Sequence, residues 1–109
     1  MKKFGIIAAM QEEMQEIQKI MDDAKKTKIY DLNFIKGKIG NYEVVLVEAG
    51  VGKVNAARTT QILIDNFEID AIINVGSAAA ANEKLNIGDI VIANKLVQHD
   101  FDITAFGHP

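Results

Sequence analysis

Four short apolar runs without alternation constrain this chain more than any other feature. Residues 4–9, 44–47, 71–75 and 87–93 are rich in isoleucine and valine, the last with Gly88 and Asp89 inside it. A strand with one wet face alternates apolar and polar residues, whereas a strand buried on both faces reads as a continuous apolar run. The runs therefore predict buried strands of an α/β fold. Two helices are predicted between them. Residues 11 to about 26 contain no glycine or proline, and residues 53–66 are rich in alanine, isoleucine and leucine. Residues 33–47 read as a hairpin turning at Gly40-Asn41. The expected architecture is a mixed β-sheet flanked by helices. Two helices are too few to cover both faces of such a sheet, so residues 1–109 are expected to be one part of a single larger domain.

Composition narrows the function classes. Hydrophobic residues make up 49% and charged residues 25%, the balance of a globular chain and not of a disordered one. The net charge is −3 and Arg58 is the single arginine, which argues against nucleic acid as the partner. With no cysteine there is no disulfide framework, thiolate nucleophile or sulfur-ligated metal. The apolar run after Met1-Lys2-Lys3 is short and ends in Gln11-Glu12-Glu13, unlike an export signal, and no run reaches membrane-spanning length. A cytoplasmic domain with no membrane contact is expected.

Three segments carry candidate chemistry. In the first, a buried strand runs into a helix whose first turn holds Glu12 and Glu13. At about 100° per residue, Met10, Met14, Ile17 and Met21 form one apolar stripe. Glu12 falls opposite it with Glu16, Lys19 and Asp23, on a solvated face. Glu13 falls about 60° from the stripe's centre, turned toward the interior. First-turn acids favour the helix dipole, which suffices for Glu12; an inward acid is paired or functional more often. In the second, Gly50-Val51-Gly52 links a strand to a helix, but neither the dinucleotide fingerprint nor the P-loop spacing is met, and a tight turn accounts for it. In the third, Gly76-Ser77 and the alanines after them follow a strand's carboxyl end, where open α/β sheets bind ligands. Ser77 is the only serine, without a nucleophile-elbow pattern, and His99-Asp100 has no partner at metal-ligand spacing.

Taken in order, Ile6-Ile7-Ala8-Ala9-Met10-x-Glu12-Glu13, Ala49-Gly50-Val51-Gly52-Lys53-Val54-Asn55-Ala56-Ala57, Ile72-Ile73-Asn74-Val75-Gly76-Ser77-Ala78, Gly88-Asp89-Ile90-Val91 and His99-Asp100-x-Asp102-x-Thr104-Ala105-Phe106-Gly107 span essentially the whole chain. Together they resemble the amino-terminal part of the 5′-methylthioadenosine/S-adenosylhomocysteine nucleosidases, in the purine nucleoside phosphorylase superfamily. The resemblance implies a nucleoside phosphorylase-like three-layer α/β/α fold, incomplete in this chain, and hydrolysis of an N-glycosidic bond to release adenine and a thioribose in methionine salvage. Members of that family are longer, and their groups that protonate and stack adenine and hold the ribose have no counterpart in these residues. By the same resemblance Glu13 is the catalytic base that deprotonates water. Ser77, Ala79 (a glycine in the family), Met10 and Val51 line the ribose and alkylthio region. Ile103 and Phe106 reach into a neighbouring subunit's pocket, implying a homodimer. No metal or organic cofactor is implied.

Within the superfamily the nucleophile is water or phosphate. Two carboxylates after the first strand, with no arginine, repel a dianion and suit water. The alternatives are a non-catalytic nucleoside-binding or interaction fragment, a nucleoside phosphorylase, and a flavodoxin-like cofactor binder lacking its phosphate loop. Phe101, Ile103 and Phe106 are large apolar residues in a polar segment, which predicts a homodimer interface including residues 101–106.

Overall fold

The computed structural model describes residues 2–98, 105 and 107. The chain divides into two units, Met1–Ala78 and Ala79–Pro109. The first holds β1 (Lys3–Ala8), α1 (Gln11–Lys19), β2 (Asp22–Ile29), β3 (Leu32–Ile39), β4 (Tyr42–Glu48), α2 (Lys53–Asn66) and β5 (Ala71–Val75). They build one mixed sheet of order β2-β3-β4-β1-β5. β1 is parallel to β4 and to β5, with Ile6 level with Leu46 and Ile73, while β2, β3 and β4 form an antiparallel meander. The hairpin expected over residues 33–47 is present, turning at Gly40-Asn41 between paired Ile39 and Tyr42.

Successive strand residues point to opposite faces, so the apolar runs supply two cores at once. One face carries Ile6, Ala8, Ile35, Val44 and Leu46, covered by Met14, Ile17 and Met21 from α1 and its exit. The other carries Ile7, Phe34, Val45 and Val47 against Leu63 and Ile62 of α2. The two helices thus lie on opposite faces of the sheet, giving the three layers expected for a nucleoside phosphorylase-like fold.

Three expectations need correction. The first helix ends at Lys19 instead of continuing to residue 26. Ile20 and Met21 close it with short-range amide bonds to Ile17 and Gln18, and Asp23 takes a left-handed φ of 55° that turns the chain into β2. Residues 22–29 then pair with the open edge of β3, from Asp22 opposite Lys38 to Ile29 opposite Leu32. A row of unpaired backbone groups on β3 decides this, because each ladder bond satisfies groups that a helix surface leaves alone. The crossing is tight: a Cβ on Gly37 would stand 2.8 Å from the Asp22 carbonyl oxygen and 3.0 Å from Met21 Cε. Glycine in that strand marks the close approach.

The run at residues 87–93 forms no strand. Within the second unit the Asp89 carboxylate accepts from the Asn86 amide at 2.8 Å, and the Asp89 amide donates back to the Asn86 carbonyl at 3.1 Å. Gly88 takes φ 94° inside that turn, so the acid and glycine interrupting the run bend it. Finally, β5 forms where expected, but its residues are not buried on both faces. Ile72 and Ile73 are exposed at the outer edge of the sheet among the described residues.

Candidate functional site

The three parallel strands β1, β4 and β5 end at the same edge of the sheet, with β1 in the middle. In open α/β sheets that edge is where ligands bind, since loops diverge there above the strand ends. Three loops leave it: Ala9-Met10 into α1, residues 49–52 into α2, and Gly76-Ser77-Ala78 after β5. The Ala49 amide donates to the Ala8 carbonyl at 2.8 Å, tying the second loop to the first. Gly50 and Gly52 take φ of 85° and 104°, and Gly52 starts α2 without a side-chain cap. The Asn55 side chain instead holds the loop by donating to the Val51 carbonyl at 2.8 Å. This is the tight turn the Gly-x-Gly spacing predicted.

Glu13 is half-buried in the first turn of α1, and its carboxylate spans from β1 to β5. Oε2 accepts from the backbone amides of Ala9 at 2.9 Å and Met10 at 3.1 Å. Oε1 accepts from the Ser77 amide at 3.4 Å, linking residues 64 apart in sequence. The Met10 contact is half of a capping box, in which the third helical residue reaches back to the cap amide. Met10 has no side-chain oxygen to offer in return, but its carbonyl accepts from the Glu13 amide at 3.1 Å. Glu12 is exposed, as its position on the wheel requires.

The structure brings together Glu13, Met10 and Ser77. Met10 is part-exposed at the same end, and Val51 is exposed on the adjoining loop. Ala79 belongs to the second unit, where it is exposed. Ile103 and Phe106 lie outside the described residues, as do Phe101 and the His99-Asp100 pair. Sequence reasoning placed Gly76 in a candidate ligand segment without pairing it with the Glu13 carboxylate that its α-carbon faces, and it missed the Ala9 and Met10 amides. A glycine ending an apolar run was the only signal available.

A cavity of about 350 Å³ lies between α1, the β2–β3 turn and the end of β4, with Gln11, Gln18, Lys26, Glu48 and Gly50 among its lining. Asp31, also in that lining, is ion-paired with Arg58 of α2. That hydrogen bond, above other causes, holds the Asp31 carboxyl below its ordinary value and raises Arg58 above its own. Among the described residues no group of three His, Asp or Glu side chains is placed to hold a metal ion. Nor, among them, is any helix long and apolar enough to cross a membrane.

The family model of the phosphorylase superfamily matches residues 3–109. The chain is 47% identical over 104 residues to the 5′-methylthioadenosine/S-adenosylhomocysteine nucleosidase of Staphylococcus carnosus, covering 95% of this chain and 46% of that protein. It is 42% identical over 106 residues to the nucleosidase of the same name from a Geobacillus species, covering 97% of this chain and 46% of that one. The crystal structure of S-adenosylhomocysteine nucleosidase from Streptococcus pyogenes, in complex with 5-methylthiotubericidin, superposes with a TM-score of 0.96 at 45% identity. That match covers 99% of this chain and 46% of the other. A futalosine hydrolase mutant from Helicobacter pylori superposes at 0.89 with 34% identity, over 100% of this chain and 48% of that chain. The chain thus spans about half the length of the curated relatives it matches. With residues 3–109 matched and the sheet superposed on nucleosidases, this chain belongs to the phosphorylase superfamily.

Proposed function

We propose that the protein acts in hydrolytic cleavage of the N-glycosidic bond of 5′-methylthioadenosine and S-adenosylhomocysteine, with Glu13 as the base that activates water. The observation that carries this reading is the Glu13 carboxylate, held by backbone amides of Ala9, Met10 and Ser77 at the shared carboxyl ends of β1 and β5. A carboxylate fixed there takes a proton from water attacking C1′ as the glycosidic bond breaks through an oxocarbenium-like state. The same negative charge disfavours a phosphate nucleophile, which separates hydrolysis from phosphorolysis. Relatives named as nucleosidases, and a further one named as a hydrolase, support that choice.

Met10, Val51, Ser77 and Ala79 line the ribose and alkylthio end of the pocket in this reading. Ile103 and Phe106 close the pocket of a second copy in a cytoplasmic homodimer, and no metal or organic cofactor takes part. The acid that protonates adenine comes from outside these 109 residues, which form one part of a single nucleosidase domain. The exposed apolar edge of β5 supports that incompleteness. A second reading follows from the half-length match alone: a non-catalytic nucleoside-binding fragment.

Adenine release from methylthioadenosine tests both. It is measured in the 109-residue chain and in the chain joined to the remaining half of the Staphylococcus carnosus relative. Activity only in the joined form, reduced at least about 100-fold by Glu13→Gln with helix and sheet content unchanged, is the expected result. Full activity in Glu13→Gln removes Glu13 as base, and no activity in either form leaves the binding reading.

A further inference from the structure

We propose that the two oxygens of the Glu13 carboxylate have separate duties, and that Gly76 is the positioning residue that keeps them apart. The inference rests on Glu13 being the base. Oε2 is occupied: it accepts from two amides, Ala9 at 2.9 Å and Met10 at 3.1 Å. Among the described residues Oε1 receives one long bond, 3.4 Å from the Ser77 amide. A carboxylate oxygen has room for two donors, so Oε1 keeps an acceptor position open. Oε2 therefore anchors the side chain and Oε1 is the atom that takes the proton from water.

Gly76 makes this arrangement possible. A Cβ built there would stand 3.3 Å from Oε1, 3.8 Å from the carboxyl carbon and 3.9 Å from Oε2. The intruding carbon meets the reactive oxygen first. A free glutamate would swing aside, but this one is tethered through Oε2 to two amides. It yields only by turning Oε1 away from the strand ends or by giving up the anchor. The φ of Gly76 lies outside the left-handed region, so alanine is conformationally permitted and the close contact alone carries the effect. Reacting groups need placement to a few tenths of an ångström, and an error of about 1 Å costs on the order of 100-fold in rate.

The test pairs Gly76→Ala with Glu13→Gln in kinetics and in amide NMR. In the chain joined to the relative's remaining half, Gly76→Ala is expected to lower kcat about tenfold with KM within about twofold. In a Glu13→Gln background the same change is expected to cost nothing further, because both act through one oxygen. In the 109-residue chain, the Ser77 amide resonance moves in Gly76→Ala while the Ala9 and Met10 amides keep their shifts, and Glu13→Gln moves all three. Unchanged kcat, additive losses, or equal movement of all three amides in Gly76→Ala overturns the proposal. Full activity in Glu13→Gln overturns the underlying reading instead. If Gly76→Ala does not fold, hydrogen exchange in the unsubstituted chain decides. Ala9 and Met10 amides exchanging no more slowly than Ser77 would also overturn the division of duties.

Discussion

Strands β4 and β2 flank the same neighbour, β3, and are built from opposite materials. β4 is Tyr-Glu-Val-Val-Leu-Val-Glu, with four consecutive residues buried between α1 on one face and α2 on the other. β2 is Asp-Asp-Ala-Lys-Lys-Thr-Lys-Ile, exposed along nearly its whole length. One is held by the water it excludes, the other by the backbone bonds it contributes to an open edge. Lysines suit that second role, since a charged edge does not recruit further strands. Their crowding has a cost as well: Lys25 lies directly opposite Lys36, and like charges across a ladder destabilise it. The consequence for function is a division of labour. The apolar centre fixes β1 and β4, and β5 is paired to β1. The Glu13 carboxylate bridges the ends of β1 and β5, while the lysine-rich edge lies on the far side of the sheet.

Emptying the apolar centre has the largest effect on stability. Phe34 is fully buried against Val47 and Phe67, and Phe34→Ala is expected to cost about 3–5 kcal/mol in urea unfolding. Lys25→Thr, on the neighbouring strand, is expected to be neutral or to stabilise by up to about 1 kcal/mol, since it removes the repulsion with Lys36. Equal losses from the two would show that both strands are held the same way.

A smaller effect sharpens the account of the centre. Thr59 is fully buried in α2, and its hydroxyl has no hydrogen-bond partner among the described residues. An unpaired buried hydroxyl costs about 1–3 kcal/mol, and an apolar group of the same shape avoids that cost. Thr59→Val is therefore expected to raise stability by about 1 kcal/mol in the same denaturation measurement.

The smallest effect belongs to the turn beside β2. The hydrogen bond from Arg58, chiefly, keeps Asp31 ionised below its ordinary pKa of 3.8. A depressed carboxylate contributes stability that is fully present above that ordinary value and is lost as the pH falls through the lowered one. Both partners are exposed, so the contribution is slight and salt-sensitive. Thermal melts of Asp31→Asn are expected to fall marginally below the unsubstituted chain at neutral pH and to converge with it under strongly acidic conditions.

Glu13 was legible because helical periodicity is local. Its distance from Met10, Met14 and Ile17 on the wheel separates it from Glu12, and the structure places the two on different sides. The helix Lys53–Asn66 and the hairpin turn at Gly40-Asn41 were legible for the same reason. β2 was not. Thr27 and Ile29 are weak strand signals against three lysines and two aspartates, and only the empty edge of β3 makes residues 22–29 a strand. The run at residues 87–93 misled in the opposite direction. Its composition suits a strand, yet the bonds between Asn86 and Asp89 make a turn inside it.

The amino-acid sequence alone determined which short segments are apolar and with what period. From that follow two helices, the apolar strands β1, β4 and β5, and an acid turned inward at the start of α1. These are properties of neighbours within a few positions, where a hydrophobic pattern and a turn residue are sufficient. The tertiary structure alone decided what meets across the fold. It placed residues 22–29 on the edge of β3, left β5 exposed, and brought Gly76 and the Ser77 amide to Glu13, 64 residues away from Ser77 in the chain. Hydrophobic burial is non-directional and says only that a strand is inside. A hydrogen bond or a close contact has a partner at one distance and angle, and that partner exists only once the sheet has assembled.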